Sequence, residues 1–94
     1  MRPAERQIDE AEKWWLVNRT AAPGAIGEEF GEMISILSQT PRLGRVATDV
    51  RTSNVRKVFL RRVGFLIYYR VIGSPPRLQI MAFWHARRGN GPPI

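Results

Sequence analysis

Apolar residues recur every three to four positions through the first forty residues, and every second position through most of the remainder. Ala4, Ile8, Ala11 and Trp15 fall at helical spacing and place one apolar stripe on a helix over about Pro3 to Asn18. Pro3 suits the first helical turn, where a missing N–H costs nothing. Ala21-Ala22-Pro23-Gly24 breaks the pattern. A second stripe, Ile26, Phe30, Met33, Ile34 and Leu37, runs to about Gln39. Thr40-Pro41 ends it, because the residue before a proline is disfavoured in the helical region. Two amphipathic helices with so short a break predict an antiparallel hairpin over about residues 3–40.

The second half reads as strands. Val55 to Arg62 mixes β-branched, aromatic and charged residues with partial alternation. Phe65, Ile67, Tyr69 and Val71 alternate with Leu66, Tyr68 and Arg70. From Arg77 to Trp84 the alternation returns, and Leu78, Ile80, Ala82 and Trp84 are expected on one side. Val63-Gly64 and Gly73-Ser74-Pro75-Pro76 are short enough to be hairpin turns. A fourth short strand is expected near Arg45–Thr48. The expected fold is therefore α+β, with an N-terminal two-helix hairpin packed on a three- to four-stranded antiparallel sheet over about residues 45–88. Residues 89–94, rich in Gly and Pro, are expected as an extended, loosely held tail. The 94 residues suffice for a single domain.

Charge changes this picture more than composition does. Met1 to Thr40 carries four basic and seven acidic residues, a net of −3. Pro41 to Ile94 carries eleven basic residues against Asp49, a net of +10. Such a half points to a polyanionic partner, meaning nucleic acid, a ribonucleoprotein or an acidic protein segment. The bland alternative is solvated surface in an arginine-rich proteome. Thirteen of the fifteen basic residues are Arg, which forks and stacks where Lys is a point charge. With no cysteine, disulfides, zinc–thiolate sites and thiol chemistry are excluded. No metal-ligand cluster, Gly-rich phosphate loop or paired carboxylate site is visible, so neither a metal nor a cofactor is expected. No run of some 18 apolar residues predicts a membrane span. Met1 to Glu5 carries no apolar signal-peptide core, and the cytoplasm is the expected place of work.

Four stretches, in this order, resemble the RelE/ParE superfamily of toxins from bacterial type II toxin–antitoxin systems. Leu37 to Gly44 (L-S-Q-T-P-R-L-G) is similar to the family's close of its second helix. Val55 to Leu60 (V-R-K-V-F-L) stands where the family commonly has a basic strand. Phe65 to Val71 (F-L-I-Y-Y-R-V) is similar to its aromatic–aliphatic–Tyr–Val strand. Trp84 to Arg88 (W-H-A-R-R) is close to the His-Gly-Arg-Arg ending of many ParE-like members. Members usually open with a strand, whereas here Met1, Arg2 and Pro3 alone precede the first helix. Either the sheet lacks that strand or the start lies too far downstream; a missing strand would expose unpaired backbone groups.

The resemblance implies a growth-inhibiting toxin of plasmid-stabilization type, silenced by a cognate antitoxin whose acidic, partly disordered tail wraps it. It also implies one of two mechanisms. ParE-like members poison DNA gyrase by binding, whereas RelE-like members cut mRNA on the ribosome. Cleavage needs a general base, a general acid and cations on the developing phosphorane. Lys57, Arg61, His85 and Arg87 are the catalytic candidates if the chain is a ribonuclease. Against that, Leu66 stands where the RelE branch has an arginine, and residues 89–94 lack the branch's C-terminal tyrosine. The ParE-like reading is therefore favoured, with Lys57, Arg61, Arg62, His85, Arg87 and Arg88 expected to engage the target. Trp14, Arg70 and Trp84 are expected to meet the antitoxin. A plain basic nucleic-acid-binding domain is the third reading.

The bland roles of these residues are equally concrete. His85 could cap the end of its strand with a backbone hydrogen bond. Trp15 is expected in the core, with Trp14 some 100° away on the helix flank. Tyr68, Tyr69, Phe83 and Trp84 are expected as sheet packing, and the paired arginines as solvated charge.

Overall fold

The computed structural model describes residues 3–18 and 24–94. Among them, α1 (Pro3–Asn18) and α2 (Ala25–Gln39) precede β1 (Arg45–Val46), β2 (Arg56–Leu60), β3 (Phe65–Ile72) and β4 (Arg77–His85). The strands form one antiparallel sheet in the order β1-β2-β3-β4, so the predicted α+β architecture holds, with the short fourth strand present as β1. The helix break at Ala21–Pro23 lies outside the described residues.

Both helices lie on one face of the sheet. Ala11, Trp15, Ile26 and Leu37 bury their side chains against Val58, Leu60, Ile67, Tyr69 and Phe83. The opposite face carries a second, smaller core of Ala47, Val55, Tyr68, Ala82 and Trp84. That division corrects the expected phase of β4. Tyr68 pairs with Ala82, but Tyr69 pairs with Ile80, so Met81 is an extra residue in the ladder. This β-bulge shifts the alternation by one. Leu78 and Ile80 stay with the helices, Phe83 joins them, and Ala82 and Trp84 move to the opposite face. The uninterrupted alternation of these residues in the sequence conceals the slip.

The second core is closed by the C-terminal segment and the loop between β1 and β2. The Trp84 indole N–H donates to the Asn90 carbonyl at 2.8 Å. The Ile94 carbonyl accepts from the Arg51 and Thr52 N–H groups at 2.8 and 3.1 Å. Residues 89–94 are thus a strap across this face, where the sequence predicted a loosely held tail. A Cβ at Gly91 would collide with Asp49, so glycine alone permits so close a crossing.

Side-chain oxygens tie the helices to the sheet at both ends. The Glu29 carboxylate accepts from the Arg62 and Val63 N–H groups in the β2–β3 turn. Gln7 accepts the Phe83 N–H at 2.8 Å, covering one donor along β4. In the segment after α2, the buried Tyr69 hydroxyl donates to the Pro41 carbonyl at 2.7 Å and accepts the Gly44 N–H at 2.9 Å. A Cβ at Gly44 would lie 2.7 Å from that hydroxyl, which explains the glycine. Tyr69→Phe leaves both backbone groups without this partner. It should cost about 1–3 kcal/mol in urea unfolding and speed hydrogen exchange at the Gly44 amide. A loss below about 0.5 kcal/mol would show that the hydroxyl does not hold this segment.

Candidate functional site

The strand pairings divide the sheet into two ends. Phe65 pairs with Leu60 and His85 at one end, while Ile72 pairs with Arg77 at the other. Seven residue steps along β3 separate them, roughly 23 Å. The first end gathers most of the residues expected to engage a target.

An aromatic series fixes His85 there. Phe30 meets Phe83 edge-on at 5.9 Å, Phe83 stacks on Phe65 at 4.7 Å, and Phe65 meets the His85 ring at 4.9 Å. The series leads from the core to the surface. The Ala86 N–H donates to the Gly64 carbonyl at 3.0 Å, which holds the chain after β4 against the β2–β3 turn. Gly64 has φ +76°, a left-handed conformation that glycine adopts without strain. Arg61, Arg62, His85 and Arg87 consequently border one open cleft of about 570 Å³, with Trp14 and Phe59 among its apolar walls. A neighbouring cleft of about 250 Å³ lies between α1 and β4, where Gln7, Glu10 and Trp14 face Phe65, His85 and Arg88.

His85 fulfils the capping role open to it. Its Nδ1 accepts the Arg87 N–H at 3.1 Å, so Nε2 is the ring's remaining polar atom. Arg62 is directed towards α2, where its guanidinium meets the Glu28 carboxylate at 3.2 Å. Arg88 stacks its guanidinium 4.0 Å above the Trp84 ring. Arg61 and Arg87 are exposed at the cleft. Trp14 is 50% exposed and Trp15 8%, the division expected from their helical offset. Phe59, about half exposed on β2, is an apolar neighbour of this site that the partial alternation of its strand did not single out.

Other predicted residues lie elsewhere. Lys57 is on the opposite face of the sheet, paired with Asp49 at 3.3 Å and 5.7 Å from the Tyr68 ring centre. Trp84 is buried beneath Arg88 and the tail. Arg70 is at the far end, its Nε donating to Gln79 at 2.7 Å. Neither Lys57 nor Arg70 is brought to His85.

Asp49, absent from the sequence-derived candidates, organises the opposite face. The Tyr68 hydroxyl donates to it at 2.7 Å. Burial alone would raise the Asp49 carboxyl, but the hydrogen bonds from Tyr68, its own backbone N–H and Lys57, with the lysine's charge, hold it below its ordinary value. Burial, followed by the bond to Asp49 and that carboxylate's charge, pushes the Tyr68 hydroxyl well above its usual range. Asp49 next to Lys57 and Tyr68 has no signature in a linear sequence, because residues 49, 57 and 68 meet only after the strands pair.

Among the described residues, no group of three or more His, Asp and Glu side chains could hold a metal ion. No described helix is long and apolar enough to cross a membrane. In comparison with protein families, residues 1–89 match the family described as ParE toxin of type II toxin-antitoxin system, parDE. Comparison with curated proteins and with solved structures returned no match.

The depressed Asp49 carboxyl contributes stability that is complete above the unfolded carboxyl's pKa of about 4 and is lost as pH falls below it. Asp49→Asn should therefore unfold at lower urea than the parent at neutral pH, and the gap should close as pH drops below about 4. A gap constant from neutral to acid would remove the carboxylate's charge from the account.

Proposed function

The chain belongs to the ParE toxin family of type II toxin–antitoxin systems, and on that premise we propose that it arrests growth by binding DNA gyrase until a cognate antitoxin silences it. The target-binding surface in this reading is the His85 end of the sheet, with Arg61 and Arg87 as its cationic contacts and Trp14, Phe59 and Phe65 as its apolar ones.

The observation that carries binding over cleavage is the state of His85. Its Nδ1 accepts the Arg87 N–H, which leaves Nε2 as the ring's one proton site, whereas RNA cleavage asks for both an acid and a base. Arg61 and Arg87 beside it in the larger cleft present guanidinium groups, which do not serve as a second proton carrier. Lys57, the other candidate for acid–base chemistry, lies on the opposite face in its ion pair with Asp49. What this end offers is a concave mixture of guanidinium groups and aromatic rings, the composition that dominates protein–protein contact energy.

Arg61→Ala with Arg87→Ala should weaken inhibition of gyrase supercoiling by about tenfold or more, with the urea midpoint unchanged, since neither side chain is buried. The same preparations belong in a cell-free translation reaction programmed with ready-made mRNA, where gyrase plays no part. Arrested translation with a cut message, alongside untouched supercoiling, would overturn the gyrase reading in favour of ribosome-dependent cleavage.

A further inference from the structure

The end of the sheet opposite His85 carries a second surface of mixed character. Leu43 is 53% exposed, Val46 56% and Val71 44%, and Ile36 is similarly open on α2 nearby in the chain. Val46 and Val71 border an open depression of about 500 Å³ together with Arg42, Arg56 and Arg70. Val71 and Pro41 also border the adjoining depression, which reaches Leu78 and Arg77 beside the end of α2. The two share Pro41 and Val71 in their linings and together make a groove in which apolar residues lie beside guanidinium groups.

Those charges are not neutralised within the described residues. The ion pairs there join Lys57 to Asp49 and Arg62 to Glu28, both elsewhere. Arg56 donates to the Gly44 carbonyl and Arg70 to the Gln79 amide oxygen, both neutral acceptors. Those bonds orient the guanidinium groups without compensating their charge. Carboxylates supplied by a partner would do so, and apolar side chains beside them would cover Val46 and Val71.

We propose that this groove, bounded by Arg42, Val46, Arg70, Val71 and Arg77, is the docking site of an acidic amphipathic segment of the antitoxin. The inference rests on the antitoxin partnership in the functional reading above, and it separates that partner's anchor from the His85 end by the length of β3. Charge complementarity selects the occupant: the guanidinium groups of Arg42, Arg70 and Arg77 repel a basic partner, and exposed Val46 and Val71 beside them match the apolar side chains of a protein segment and not a nucleic-acid backbone. Of the residues sequence reasoning gave to the antitoxin, Arg70 lies here, whereas Trp14 and Trp84 do not.

The test uses the full chain and its cognate antitoxin expressed from its own gene, with affinity read by calorimetry and growth arrest read on induction without antitoxin. Arg42→Glu with Arg77→Glu, and separately Val71→Ser, change exposed side chains, so circular dichroism should be unaltered. Each should bind antitoxin about tenfold or more weakly, and growth arrest should persist. The wild-type affinity should also fall with added salt. Undiminished binding by both variants overturns the proposal, as does weakened binding confined to Arg61→Glu with Arg87→Glu. Loss of antitoxin binding together with growth arrest overturns the separation of the two surfaces. Failure of the gyrase reading would show in the supercoiling assay alone and leave these affinities in place.

Discussion

The Tyr69 hydroxyl joins the acidic helical half of the chain to the basic sheet. Its ring is part of the core beneath the helices, and its oxygen both donates to Pro41 and accepts from Gly44. Through those bonds a side chain in the middle of β3 sets where α2 stops and where β1 begins. Leu37, wholly buried one turn earlier, is placed by the same arrangement. Gly44 must lack a Cβ because the hydroxyl occupies that space. The groove lined by Pro41, Val46 and Val71 is a by-product: the segment that closes over Tyr69 leaves these neighbours open on its outer side.

At the other end the helices are tied down by charge meeting backbone. Glu29, just past the first turn of α2, accepts two N–H groups from the turn after β2. Glu28, one residue earlier and within the first turn of α2, suits the positive end of the helix. The turn after β2 also accepts the Ala86 N–H through Gly64. His85, Arg61 and Arg87 are therefore held against one small rigid turn, and the aromatic series from Phe30 to His85 supports them from inside. For the proposed gyrase contact, a surface supported this way lowers the ordering cost of association.

Much of this architecture was legible in the residue pattern. Strong periodicity in Ala4 to Trp15, Ile26 to Leu37 and Phe65 to Val71 located elements to within a residue or two, because one face of each is buried. The family resemblance read from Leu37–Gly44, Val55–Leu60, Phe65–Val71 and Trp84–Arg88 is borne out by the family match. Legibility failed where the cause lies across the sheet. Leu78, Ile80, Ala82 and Trp84 look like one face, yet β3 imposes a slip at Met81 that no local signal announces. Lys57 reads as one more cation on a basic strand until its register beside Tyr68 places it with Asp49. Trp84 has the composition of an interface anchor, but the Gly/Pro-rich tail that looked loose covers it.

The bulge has a consequence for how this sequence can change. A strand whose two faces serve different cores normally tolerates no change in length, since one codon gained or lost sends every later side chain to the wrong side. In β4 that slip has already been absorbed at Met81. Losing this residue would bring Ile80 and Ala82 into regular succession opposite Tyr69 and Tyr68, each still on its own face, with the Met81 contact to the second core given up. Loss of Gln79 would not have that property, since it would send Ile80 to the opposite face. Met81 is thus a place where the reading frame of the fold, as distinct from that of the gene, has slack.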